Sequence, residues 1–205
     1  MKLNKFVAFP FVIMFLAIPL QAQWEIGGVI DINLASISVK PGSSTEDYSG
    51  RLGFGIGAVV DRQLTDQIDL HAEPMFLQKG GKIDASIGTI VFKVHYLEIP
   101  LMFRYAFEYN NSLLPYAMAG PSIGLLSSAK SELKDGGEQD EKEATRGFDF
   151  GVGVGGGVKL PMGNKTFFAE TRYLLGLINI NTEGGESTVK NRGLQIVGGV
   201  TIPID

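Results

Sequence analysis

Phe148-Asp149-Phe150-Gly151-Val152-Gly153-Val154-Gly155-Gly156-Gly157-Val158-Lys159-Leu160 beats in twos: Phe148, Phe150, Val152, Val154, Val158 and Leu160 alternate with Asp149, Gly151, Gly153, Gly155, Gly157 and Lys159. Successive side chains of a β-strand point to opposite faces, so this stretch predicts a strand with one greasy face and one nearly empty face. The same beat recurs on both sides of it. Ile26 to Leu34 alternate with Glu25, Gly27, Asp31 and Asn33, and Leu52 to Val60 alternate with Arg51, Gly53, Gly55 and Gly57. Ile68 to Phe76 alternate with Asp69, His71, Glu73 and Met75, with Pro74 costing that strand one ladder donor. Further segments at 90–107, 113–126, 166–180 and 191–204 bring the number to eight. In 90–107 the apolar phase moves from even to odd positions, which predicts either a bulge near Tyr96 and Leu97 or a first half that projects beyond the lipid.

Long polar connections at 39–50, about 80–89, 127–146 and 181–190 alternate with short ones at 62–65, 108–112 and 161–165. Transmembrane barrels of the bacterial outer membrane show this asymmetry, with short periplasmic turns and long external loops. The pattern therefore predicts an all-β, eight-stranded, antiparallel up-and-down barrel. Both termini fall on the periplasmic side, and the charged 127–146 loop lies outside. A soluble lipocalin-like carrier would use the same alternation with the opposite sense, but its water-facing strand positions would hold Lys, Glu, Thr and Ser where this chain repeatedly places Gly. Asp31, Arg51, Asp69, Glu73, Glu98, Arg104, Asp149, Lys159, Glu170 and Arg172, with His71, lie on the glycine-rich face. A charge facing lipid costs roughly 2–4 kcal/mol near the midplane. Ten of them would exceed a folding stability of about 5–15 kcal/mol. In a membrane barrel this face must then line the lumen, where glycines leave room for long side chains of neighbouring strands. Acids and bases that interlock there predict a filled lumen rather than an open pore, because an unpaired buried charge is costly. A narrow channel for ions or small solutes is the alternative.

The first 22 residues have the anatomy of a secretory signal: Lys2 and Lys5, an apolar run from Phe6 to Leu20, then Ala22. The barrel domain is expected over 23–205. The chain has no cysteine, which excludes disulfides and thiolate metal sites, and its net charge of −4 gives no footprint for nucleic acid. Partners are expected to be outer-membrane lipid and a protein met through the external loops. The glycines of 151–157 lack the Lys-Ser/Thr ending of a phosphate loop, and the acids of 138–143 lack the spacing of a calcium loop, so no cofactor or metal is expected. The histidines, His71 between Asp69 and Glu73, and His95, could serve a lipid-directed enzyme, but no catalytic set assembles around them in the sequence.

The segments YLEIPLMFRY (96–105), PYAMAGPSIGLL (115–126) and FFAETRYLLGLINI (167–180), with the 148–160 strand, resemble the PorT-like outer membrane protein beta-barrel family of Bacteroidetes-type bacteria. The resemblance spans residues 23–204. It implies a small outer-membrane barrel with a role in the envelope or in secretion, and it brings no catalytic residues.

Overall fold

The computed structural model describes residues 23–40, 46–47, 49–85, 88–107, 113–133, 136–182 and 187–204. The signal-like segment 1–22 lies outside them, as does the short link 108–112. The strands are β1 (Trp24–Lys40), β2 (Glu46–Asp47), β3 (Arg51–Gln63), β4 (Ile68–Ala72), β5 (Met75–Ala85), β6 (Gly88–Ala106), β7 (Leu114–Leu133), β8 (Glu138–Asp140), β9 (Phe148–Met162), β10 (Lys165–Gly176) and β11 (Thr188–Ile204). Every pairing is antiparallel. The ladder runs from β1 through β3, the β4–β5 stave, β6, β7, β9, β10 and β11, and β11 pairs back onto β1 from Trp24↔Ile204 to Lys40↔Thr188. A ring of eight staves results, closed on itself through the β1–β11 ladder. β2 and β8 are short flaps on the ends of β1 and β7.

Pro74 splits the third stave, and the gap is bridged from both sides. Ala58 donates its N–H to the Pro74 carbonyl (3.0 Å), and the Glu73 N–H goes to the Pro100 carbonyl (3.1 Å). At the end that holds the termini, β9 and β10 turn through Gly163 and Asn164, where Gly163 has φ 64°.

From that terminal end to about two thirds of the height, the outer wall is apolar. Ile30, Ile56, Val154 and Ile196 stand 58–66 % exposed. Trp24, Tyr105, Phe107 and Phe167 ring the terminal edge of this band, and Phe54, Phe76, Leu125 and Phe148 ring its far edge. Such a wall suits hydrocarbon, with aromatic side chains at both boundaries.

Beyond the far edge β1, β5, β6, β7 and β11 continue, and their polarity turns inside out. Ile37, Phe92, Val94 and Ala129 face inward, whereas Lys93, Lys130 and Glu132 lie on the outer face, where Lys93 pairs with Glu132. This corrects the expected extent of the long connections. The connection near 80–89 is ladder, with Gly80↔Lys93 through Ala85↔Gly88 in register. Likewise β7 runs on to Leu133 within the expected 127–146 loop, and β1 and β11 reach Lys40 and Thr188. Polar residues end a strand only where lipid must cover them; above the lipid they are its water-facing side. In the opposite direction the seventh stave is shorter than expected, since β10 stops at Gly176.

In residues 90–107 the second of the two readings holds, since the first half of the strand projects beyond the apolar band. Even positions of β6 face inward along the strand's described length, from Val94 and Tyr96 to Glu98, Met102 and Arg104. The apolar phase moves because the inner face changes from polar to apolar, while the strand keeps its facing. A register break does exist, between His95↔Ser128 and Tyr96↔Leu126, and the extra residue is Ser127 on β7.

Candidate functional site

The inward positions of the membrane band carry two polar clusters separated by an apolar rung. Strand order dictates this: Glu73, Leu77 and Lys79 on the third stave, Arg104, Met102 and Glu98 on β6, and Tyr116, Met118 and Ser122 on β7 read polar, apolar, polar from the terminal end. Leu77, Met102, Met118 and Leu174 belong to the central apolar core.

The cluster nearer the termini is built around two arginines, each 1 % exposed. Arg104 donates to Glu170 Oε2 at 2.7 Å and to Asp61 Oδ2 at 3.4 Å, and its guanidinium lies over the rings of Tyr116 (4.8 Å) and Phe168 (4.9 Å). Arg172 donates to Glu170 Oε1 at 3.0 Å and to Gln195 Oε1 at 2.7 Å, and it pairs with Glu73. Gln195 passes the contact on by donating to Asp31. Tyr116 Oη donates to Glu170 Oε2 at 2.6 Å. His71 bonds Asp61 through Nδ1, while its Nε2 lies 2.7 Å from Glu73 Oε1 and 2.8 Å from an Arg104 nitrogen. A proton on Nε2 serves Glu73 and a lone pair there serves Arg104, so the imidazole can satisfy either neighbour.

In the farther cluster Lys79 Nζ reaches Glu98 Oε1 at 2.9 Å and Asp149 Oδ2 at 3.2 Å. Ser122 donates to the same Glu98 oxygen at 2.6 Å, and Asn191 Nδ2 donates to Asp149 Oδ2 at 2.9 Å. Lys79 also sits 5.0 Å above the Tyr96 ring, which begins the apolar ceiling formed with Val94 and Ala129.

Glycine supplies the space. A Cβ on Gly157 would fall 2.5 Å from the Ala169 carbonyl oxygen and 2.7 Å from Tyr116 Oη, and a Cβ on Gly193 would fall 2.5 Å from Asn33 Oδ1. The empty faces of β9 and β11 are thus where side chains of the other staves lie.

Of the residues singled out by sequence, Asp31, His71, Glu73, Arg104, Glu170 and Arg172 meet in the first cluster, and Glu98 and Asp149 in the second. Lys159 pairs with Asp69 at the terminal mouth, beside the first cluster, with its ammonium 6.0 Å from the centre of the Tyr116 ring. Arg51 joins neither: it opens β3 at the far end and donates to the Lys79 carbonyl oxygen at 2.9 Å. Sequence reading left out Lys79, Asp61, Tyr116, Ser122, Asn191 and Gln195. Asp61 is in phase with Gly57 and Val59 on β3, and Lys79 with Met75 and Leu77 on β5, so alternation carried to the end of β3 and past Leu77 on β5 finds both.

Ligand atoms of His71, Glu73 and Glu170 lie within 4.8 Å of one another and could in principle hold a metal ion. Arg104 and Arg172 already neutralise both carboxylates, and a cation there would have to displace them. His95, on the outer face, bonds Ser128 Oγ at 3.1 Å and stacks edge-on with Phe76. Among the described residues no carboxylate bonds it.

No curated protein matches the sequence. Among solved structures, Neisserial surface protein A is 17 % identical, with 88 % of this chain and 97 % of that chain covered and a TM-score of 0.51. The outer membrane protein OprG from Pseudomonas aeruginosa is 12 % identical, with 89 % and 96 % covered and a TM-score of 0.54. At these identities the likeness is one of fold. The family model for the outer membrane protein beta-barrel domain matches residues 17–181, so the chain belongs to that family and resides in the bacterial outer membrane.

Proposed function

We propose that this protein is a non-enzymatic outer-membrane barrel with a sealed lumen, and that it acts through its external loops as a contact surface for a protein partner in envelope or secretion support. The observation that carries the reading is the burial of the lumen charges: His71, Glu73, Glu98, Arg104, Asp149 and Arg172 are each 2 % exposed or less. Groups packed this closely, with each of these bases in contact with an acid, support a lumen closed to ions. Both histidines argue against hydrolytic chemistry. His71 is sealed between Asp61 and Glu73, and His95 has a serine neighbour without the acid that would orient it.

In this reading residues 1–22 are a cleaved export signal, residues 23–205 are the barrel, and the terminal end faces the periplasm. The PorT-like, Bacteroidetes-type branch is the subfamily that the 96–105 segment favours. Neither a cofactor nor nucleic acid has a part in it.

Planar-bilayer recording tests the seal. Purified protein is expected to give no steady conductance, and reproducible unitary steps would replace the sealed barrel with a narrow pore. Affinity capture from solubilised membranes, comparing wild type with a 136–140 deletion, tests the loops. A partner held by the wild type and lost by the deletion supports contact through this flap, whereas equal capture by both moves the working surface elsewhere.

A further inference from the structure

Above the ceiling of Tyr96 the inside of the barrel is apolar and incompletely filled. Ile37, Phe92, Val94 and Val189 of the wall, with Ile180 and Ala144 above them, enclose a half-open cavity of about 230 Å³. Two loop segments roof it and are stitched together. Arg146 N donates to the Ile180 carbonyl at 2.6 Å, Thr182 N to the Ala144 carbonyl at 3.0 Å, and Thr182 Oγ1 to the Glu143 carbonyl at 2.8 Å. The second segment is tied to the wall through Ile180 N and the Val189 carbonyl, at 2.9 Å. Barrel interiors ordinarily pack with few voids larger than a water, so an apolar space of this size beneath a fixed roof is a built feature.

Thr145 and Asn181 give it a polar edge, and Glu141 is the one charged group among the described residues that line it. Glu141 is held by its N–H to the Ala129 carbonyl (2.9 Å), by the Thr145 hydroxyl on its own carbonyl (2.8 Å) and by the Ser131 hydroxyl on Oε1 (2.7 Å). Its second carboxylate oxygen has no partner among the described residues. A pre-positioned carboxylate with one free oxygen beside an apolar pocket matches a ligand with a cationic head and a greasy body. An apolar cavity of roughly 150 Å³ accepts benzene, so this one suits a single ring bearing a short arm.

We propose that the far-end cavity binds a small hydrophobic amine, its ring among Ile37, Val94, Ile180 and Val189 and its ammonium on Glu141. The site goes beyond the sealed-barrel reading and does not depend on it, since its floor lies above both polar clusters.

The test uses full-length mature protein in lipid nanodiscs, with ¹³C-labelled Ile, Leu and Val methyls followed by NMR. The probes are 2-phenylethylamine and phenylacetate. The amine is expected to give saturable shifts confined to Ile37, Val94, Ile180 and Val189, and phenylacetate to bind at least about tenfold more weakly. Glu141→Gln should remove that tenfold preference, and Ala144→Leu should abolish the shifts while the other methyl signals stay in place. Should Ala144→Leu lose the native spectrum, Val189→Phe fills the same space from the wall. Non-saturating or dispersed shifts, equal binding of the two probes to wild type, or binding unchanged by either filling variant would overturn the proposal.

Discussion

The longer staves, β1, β5, β6, β7 and β11, run through two solvents, and the molecule reverses itself where they meet. In the membrane band Ile30, Ile56 and Val154 face out while Arg104, Glu170 and Arg172 face in; toward the far end Lys93, Lys130 and Glu132 lie outward while Ile37, Phe92 and Val94 face in. Backbone hydrogen bonding is the same in both sections, so the ladder does not choose which face is apolar. The medium outside the wall does. Within lipid a charge is stable only if it is turned inward and paired, and beyond lipid an apolar side chain is stabilised by turning inward.

The largest effect is expected where that inward pairing is broken. Arg104→Ala leaves the Asp61 and Glu170 carboxylates buried beside a vacancy, and breaking a buried pair from one side typically costs about 3–5 kcal/mol. The urea midpoint of the barrel in lipid vesicles, read from Trp24 fluorescence and from heat-modifiable gel mobility, should fall accordingly. Adding Asp61→Asn and Glu170→Gln to Arg104→Ala should recover part of the loss, since the stranded charges are then gone. A triple variant no better than the single one would show that the arginine matters by its packing over Tyr116 and Phe168.

The boundary itself is tested by one charge placed on the outer face at two heights. Ile56, 65 % exposed in mid-band, should lose about 2–4 kcal/mol as Ile56→Lys. Val91, opposite Lys82 and Glu132 in the far section, should accept Val91→Lys with little change. Equal losses at the two positions would mean that lipid covers both. A smaller contrast comes from glycine. Gly157→Ala should cost about 1–3 kcal/mol, because the new methyl meets the Ala169 carbonyl and Tyr116 Oη. Gly137→Ala, with nothing within 4 Å of its Cβ, should be neutral.

How much of this was legible in the sequence depends on which solvent a segment meets. Residues 148–160 could be read outright, because lipid on one face and a crowded lumen on the other leave only large apolar residues alternating with glycine or charge. Lys79 was hidden because Gly80 and Gly81 beside it resemble a turn; yet Gly80, at φ 125° and with its Cβ position 2.0 Å from the Phe92 carbonyl oxygen, is what keeps β5 in the ladder. Arg51 shared the phase of the lumen residues, but its height in the barrel is a property of stagger, which one strand's pattern does not contain. Gln195, Asn191 and Ser122 carry no charge, and their types occur equally on wet surfaces. Pairing across the lumen, such as Arg104 with Glu170, joins strands far apart in sequence and leaves no local trace.

The smallest expected effect lies on the outer face of the far section. Lys130 and Glu138 form an ion pair between β7 and the β8 flap, with both side chains more than two fifths exposed. Each raises or lowers the other's proton affinity in the ordinary sense: the ammonium of Lys130 titrates above its usual range and the Glu138 carboxyl below its own. The pair is therefore intact from near the lower end of carboxylate titration up to the alkaline range, and neutral pH sits inside that window. Water and salt screen such a contact, so replacing both partners by alanine should leave the urea midpoint unmoved at neutral pH and moderate salt. The charge-paired lumen must behave otherwise, because Arg104 and Arg172 are each only 1 % exposed and are far less open to screening by solvent and salt. A shift on removing the Lys130–Glu138 pair comparable to that of Arg104→Ala would mean that the flap is packed against something more than solvent, and the contrast between the two sections would have to be redrawn.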